Sequence, residues 1–289
     1  GGADNIVVND LTGTDLVQVE LNLAGTLGGT SGDSQVDTVT LNGSNGNDII
    51  SVLGTNTSYA VVGLAALVQV GHSEPTDRLI VNANGGNDSI FADTLGANVV
   101  GLTIDGGAGN DHILGGNGND VLIGGDGNDV IDGNRGDDIA FMGAGNDVFI
   151  WDPGDGSDVV EGQGGTDKLL FNGSNASENI DISANGSRIR FFRDVANIVM
   201  DLDDVEGIEF NALGGADNIV VNDLSGTDVT DVRLNLNNTG MTGDGQADSV
   251  TVNGTAGNDN ISIDSTTGDI RVLGLVSAVT IVGAEGAND

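Results

Sequence analysis

The chain contains no cysteine, so no disulfide can hold it together. Proline occurs twice against 49 glycines in 289 residues, which excludes collagen and proline-rich disorder. Aromatic residues are few, with one Trp, one Tyr and seven Phe. No apolar run approaches the roughly 18 residues of a membrane-spanning helix. The opening GGADNIVVND has no basic n-region, so no signal peptide is expected in it. Basic residues are the scarcest class by weight of consequence: 8 Lys and Arg face 44 Asp and Glu, for a net charge of −36. Such a chain cannot line a phosphate backbone, so nucleic acid is excluded as a partner and membrane insertion is not expected.

Catalytic chemistry is equally thin. His72 sits in the turn-like GHSEPTD, and His112 in a strand-like triplet, where an ordinary side chain suffices. No HExxH, GxSxG or phosphate-binding loop occurs, and GxGxxG-like strings carry no information among so many glycines. Counting does not exclude a glycosidase carboxylate pair, because Asp is abundant. Tyr59 and Trp151 would be its main sugar platforms. The expectation is therefore no enzyme and no catalytic residue.

What is present is Asp. The acids divide into 37 Asp and 7 Glu. A generic acidic surface would use both, whereas Asp suits tight loops, where its short side chain reaches nearby backbone or metal. Apolar residues come in short β-branched runs separated by Gly, Asn and Asp, which is the pattern of an all-β repeat protein.

The stretch Gly106–Ile150 concentrates this pattern. It reads GGAGNDHIL, GGNGNDVLI, GGDGNDVID, GNRGDDIAF and MGAGNDVFI, five nonapeptides without insertion. Six residues of turn chemistry precede three of strand character, and Asp recurs at the sixth place as Asp111, Asp120, Asp129, Asp138 and Asp147. So short a period means a solenoid. Glycine at the first, second and fourth places permits positive φ, so that carbonyls can turn inward. If two nonapeptides make one coil, every second loop stacks about 4.8 Å above the last. Asp111, Asp129 and Asp147 then form one column, and Asp120 and Asp138 another. Carboxylates stacked so closely repel unless a cation lies between them, and oxygen ligands alone select Ca²⁺. A flexible Gly/Asn/Asp linker would not place an apolar residue two after every Asp.

These residues resemble the hemolysin-type, or RTX, calcium-binding repeat GGxGxDxUx, where U is a large aliphatic residue. Gly106–Ile123 and Gly124–Asp132 match it throughout. Gly133–Phe141 has Asn134 at the second place and Ala140 at U, and Met142–Ile150 lacks the first Gly. The resemblance implies a parallel β-roll, with several Ca²⁺ ions, roughly three to six over residues 106–167, held between loops two repeats apart. The expected ligands are the five Asp carboxylates and carbonyls of the loops: Gly106, Ala108 and Gly109; Gly115, Asn117 and Gly118; Gly124, Asp126 and Gly127; Gly133, Arg135 and Gly136; Ala144 and Gly145. The register resumes at Asp158 and Asp167, which are expected as further sites. Asp48, Asp88 and Asp259 end isolated fragments of the motif, each open between a single Ca²⁺ site and a plain Asx turn, and Asp4 and Asp217 in GGAD are fainter still.

A longer repeat frames the short one. Gly1–Leu23 and Gly214–Leu236 are identical at 18 of 23 places, and the match runs on to Asp77 against Asp289. The chain thus reads as a 212-residue unit, Arg78–Asp289, preceded by the last 77 residues of another. The expected organisation is solenoid coils over 1–77, coils leading into the roll over 78–105, the calcium roll over 106–171, a small antiparallel or mixed β unit over 172–213, and coils equivalent to the first over 214–289. Phe149, Trp151 and Phe171 are expected to cap the roll. The antiparallel reading rests on alternating runs about Asn185-Gly186, a type I′ hairpin signal.

The expected fold is all-β, a parallel β-roll or β-solenoid with calcium-binding turns and a small antiparallel or mixed segment. The expected function is a secreted Ca²⁺-stabilised repeat of an extracellular filament, stalk, surface-layer or matrix protein, exported by type I secretion as the resemblance implies. Its expected partners are further copies of itself, end to end or side by side. The alternatives are an adhesin segment binding cell-surface glycan, and the accessory module of a secreted enzyme or toxin.

Overall fold

The computed structural model describes residues 1–240, 242–266, 268–286 and 289. Among them the chain forms 26 strands and one short 3-10 turn, Val195–Asn197. Among the described residues no helix is long and apolar enough to cross a membrane. The fold is all-β with mainly parallel sheets, in two compact units, Gly1–Asp147 and Val148–Asp289.

The nonapeptide builds its coil from alternation. Side chains along a strand point to opposite faces in turn, so in each triplet after an Asp only the middle residue faces inward. Ile113, Leu122, Ile131 and Ala140 hold that place and are fully buried. The register is two nonapeptides per coil: His112 lies opposite Val130, and Val121 opposite Ile139. Burying one such Leu or Ile contributes up to about 1.5–3 kcal/mol. The stack therefore holds only because each coil covers the next.

In the first unit one sheet is parallel throughout, in the order Asn5–Val8, Thr38–Asn42, Arg78–Asn82, Gly101–Ala108, Val121–Asp126, Ile139–Gly145. The facing sheet runs parallel from Ile49–Thr55 through Ser89–Phe91 and His112–Leu114 to Val130–Asp132. On its other side Ile49–Thr55, Ser58–Val62 and Leu67–Gly71 form an antiparallel meander. The sequence reading has plain coils there. The chain reverses instead at Asn56, which takes φ 60°, and at Gly63, φ 98°.

In the second unit one sheet contains an antiparallel meander. Asn179–Asn185, Arg188–Arg193 and Ile198–Asp203 pair antiparallel, with Gly186 at φ 73° in the hairpin turn. The meander's outer strands pair parallel with Asn218–Val221 and Val159–Gly165, so residues 172–213 are built into the roll. Gly207–Asn211 crosses to the other sheet, between Lys168–Asn172 and Asp231–Asn235. The expected aromatic cap is an interior: Trp151 stacks on Phe171 at 4.0 Å, and Phe191 follows at 4.3 Å, all fully buried. More coils follow Phe171, so these rings have no open end to cover.

The two copies of the long repeat share their pairing. Asn5–Val8 joins Thr38–Asn42 as Asn218–Val221 joins Ser249–Val252.

Candidate metal centre

The loops between strands carry the chemistry. In Gly124–Asp129, Gly125 and Gly127 take φ of 112° and 136°. A Cβ on either would lie 1.9 Å and 1.8 Å from the carbonyl oxygens of Gly107 and Gly109 in the coil before. Only glycine lets the loops stack that closely. First-place Gly124 serves another purpose. A Cβ there would lie 2.3 Å from Met142 O and 2.5 Å from Asp129 Oδ2. At Gly106 the corresponding atoms are Gly124 O at 2.7 Å and Asp111 Oδ2 at 2.5 Å. The missing side chain thus leaves a small space faced by a carboxylate oxygen and a carbonyl of the next coil.

The Asp residues form ladders. The amide of Asp48 donates to Asp88 Oδ1 at 2.7 Å, Asp88 to Asp111 at 2.7 Å, Asp111 to Asp129 at 2.8 Å and Asp129 to Asp147 at 2.7 Å. Asp120 donates likewise to Asp138 Oδ1 at 2.8 Å, on the other side of the coil. The structure thus brings Asp111, Asp129 and Asp147 into one column and Asp120 and Asp138 into the other. Asp48 and Asp88 extend the first. A parallel ladder of fifth-place Asn runs in the opposite sense: the amides of Asn110, Asn128 and Asn146 donate to Asn87, Asn110 and Asn128 at 2.7–2.9 Å.

One carboxylate oxygen in each pair is committed to backbone. The other, Oδ2 of Asp88, Asp111 and Asp129, is buried and accepts no hydrogen bond. An anion held this way is costly unless a cation is near. Burial accordingly pushes the carboxyl of Asp88 up to about 6 and those of Asp120 and Asp129 up to about 7. It raises Asp111 and Asp147 as well, against the pull of the backbone hydrogen bonds. The charges of Asp111, Asp147 and Asp126 push Asp129 further up. Buried oxygens that converge beside the first-place glycines, and a donor set without nitrogen or sulfur, fit a hard divalent cation, and Ca²⁺ before others.

Residues 39–54, 103–122, 114–149 and 154–175 match the family model described as the RTX calcium-binding nonapeptide repeat, in four copies. The chain carries RTX calcium-binding repeats. No curated protein matches the chain.

The departures from the RTX pattern have local reasons. Asn134 takes the second-place glycine's positive φ at 64°, which Asn tolerates, and its side chain donates to Gly115 O at 3.2 Å. Met142 puts a Cβ where the other RTX loops keep the first place open. Among the expected carbonyl ligands, Gly124 O and Gly133 O face the first-place glycines of the preceding coil. The third-place carbonyls of Ala108, Asp126 and Ala144 accept amides of Gly86, Gly109 and Gly127 at 2.7–2.8 Å. Gly109 O and Gly118 O abut Gly127 and Gly136, and Gly145 packs on Gly127 O. Asn117 directs its side chain to Asp93 O and Leu95 O, and Arg135 is exposed.

Asp158 and Asp167, in the second unit, are buried immediately before strands, and Asp167 Oδ2 faces Gly162 as in the RTX loops. Asp259 joins no ladder: it is exposed and closes a local turn on Thr255. The sequence reading passed over Asp37 and Asp77, which carry a ladder from Asp4, and underrated Asp217, which carries one from Glu178 to Asp248. Each stands directly before an alternating apolar run, the one signal that could have found it. Asp203, Asp204 and Asp228 also cluster, but Asp204 and Asp228 are exposed, and Arg188 pairs with the partly buried Asp203 at 3.1 Å. Of the histidines, His112 packs edge-on against Phe91, and His72 reaches Asn22 Oδ1 from its Nδ1 at 3.0 Å.

Proposed function

We propose that the chain is a non-enzymatic, Ca²⁺-clamped structural repeat of a secreted filament, stalk, surface-layer or matrix protein. The observation that carries this reading is the stack of buried carboxylates whose second oxygens face the spaces beside first-place glycines. Bound Ca²⁺ supplies the positive charge that such a stack needs. Asp111, Asp120, Asp129, Asp138 and Asp147 hold it with carbonyls of stacked loops, in roughly three to six sites over residues 106–167. Without it the Asp ladders repel, and a chain of charge −36 stays expanded and suited to type I export. At the roughly millimolar Ca²⁺ outside cells the loops close and the roll stiffens, because binding free energy is folding free energy here. The near-identical ends of the chain support assembly into a longer array, with units associating end to end or side by side.

Circular dichroism during Ca²⁺ titration tests the reading. β structure and melting temperature should both rise with Ca²⁺; an unchanged spectrum and melting point in excess chelator would sink it. Light scattering of the Ca²⁺-loaded chain tests association. A second reading, a glycan-binding adhesin, is favoured by a cleft of about 810 Å³ on the first unit, lined by Glu20, Asn22, Ser58, Tyr59, Gln69 and His72. Binding to a glycan array that Gln69→Ala and His72→Ala abolish would support it.

A further inference from the structure

We infer that Arg193 is the resident cation of the coil around residues 173–213, supplying from beside Glu178 Oε1 the positive charge that Ca²⁺ supplies in the RTX loops, and that this coil keeps its fold without metal. The inference rests on the reading that the RTX loops need Ca²⁺ and goes beyond it.

Glu178 occupies the sixth place of a degenerate loop, GSNASE, Gly173–Glu178. Like the RTX Asp residues it is buried, directly precedes a strand, and donates its amide to the carboxylate of the next coil, Asp217 Oδ1 at 2.8 Å. Its Oε2 faces the space beside Gly173 together with the carbonyls of Asn211 and Ala212, so the coil keeps the outline of a metal loop. The loop has lost the second- and fourth-place glycines, to Ser174 and Ala176.

The charge comes from within the chain. Along Arg188–Arg193 the inward places are Ile189, Phe191 and Arg193. Arg193 is as buried as its two apolar neighbours. Its Nε donates to Glu178 Oε1 at 2.8 Å, and a second guanidinium nitrogen donates to the same oxygen. The guanidinium also reaches Ser174 Oγ at 3.3 Å and Val195 O at 3.2 Å, and lies 5.2 Å from the centre of the Trp151 ring. Glu is one methylene longer than Asp, and that length carries its carboxylate to the arginine. This buried ion pair balances the Glu178 charge from within the chain, through Oε1 alone, while Oε2 accepts no hydrogen bond.

The surroundings differ from the RTX loops in the same direction. The meander Asn179–Asp203 is built from local antiparallel pairs, and its own Phe191 joins the buried stack of Trp151 and Phe171. Arg188 joins Glu161, Asp201 and Asp203 across its outer face. Over residues 106–147 the one basic residue is the exposed Arg135. The second unit thus holds a segment that stays folded at low Ca²⁺, from which ordering can spread when the loops load.

Hydrogen exchange followed by mass spectrometry on the full chain, in excess chelator and in Ca²⁺, tests this. In chelator, amides of 179–203 should stay protected while those of 112–147 exchange freely. If 179–203 loses protection together with 112–147, the inference is overturned and the proposed function stands. If 112–147 stays protected in chelator, both fall, because no metal requirement exists to be replaced. Arg193→Met separates the arginine from the aromatic packing. A fall of about 100-fold or more in protection over 179–203 in chelator supports the inference; protection equal to the parent chain's overturns it.

Discussion

Replacing Asp129 by Asn should stabilise the metal-free chain and destabilise the Ca²⁺-loaded one. Asp129 Oδ1 accepts the amide of Asp111 at 2.8 Å, and an Asn oxygen can do the same. What the substitution removes is the charge. The carboxyl is pushed up to about 7 by burial, against about 3.9 in an unfolded chain. A raised folded value means that the protonated form suits the fold. Stability is therefore full below about pH 4 and declines as pH rises to about 7. The three-unit difference corresponds to about 4 kcal/mol at most. Solvent at the adjoining loop screens this to about 2 kcal/mol. Asp129→Asn should recover that amount in chelator at about pH 8, as a rise of a few degrees in melting temperature. In Ca²⁺ at about 100 times the dissociation constant, losing one site costs about 2.7 kcal/mol. Thermal melts by circular dichroism in both conditions measure both signs. Destabilisation of equal size with and without Ca²⁺ would mean that Asp129 is only a backbone acceptor, and would refute the reasoning.

Acidifying the chelated chain from about pH 8 to about pH 5 should increase β structure, because Asp88, Asp120 and Asp129 then protonate in the fold; Ca²⁺ affinity, measured by calorimetry, should fall over the same range. Gly127→Ala sets a Cβ 1.8 Å from Gly109 O at φ 136° and should cost at least about 3 kcal/mol. Gly186→Ala, at φ 73° in open space, should cost only about 1 kcal/mol in the same denaturation assay. Arg193→Met should destabilise the second unit by about 3–5 kcal/mol. The single tryptophan, Trp151, is fully buried there, so its emission should shift to the red at lower urea than in the parent chain.

The nonapeptides were legible because their physics is local. A nine-residue period alternates loop and strand, the residue two after each Asp must face inward, and two such steps close a coil. Those facts were enough to place Ile113, Leu122 and Ile131 in the core and the five Asp residues in two columns. The hairpin in the second unit was legible for the same reason, as turn chemistry between two alternating runs. Its two-residue turn is Gly186-Ser187, with Asn185 still in strand and paired with Arg188, so the type I′ turn expected on Asn185-Gly186 is not formed. Where coils vary in length the period disappears. Asp4, Asp37 and Asp77 are successive rungs of one ladder but lie 33 and 40 residues apart, so no spacing links them.

The sequence by itself determined the repeat, the β class and the oxygen chemistry of the loops, since each depends on residues within one turn of chain. Only the tertiary structure decided which carboxylates share a ladder, which strands reverse into meanders, and that Arg193 meets Glu178. Burial and cation sharing are properties of what stacks on a coil, and a coil's own residues do not name its neighbour.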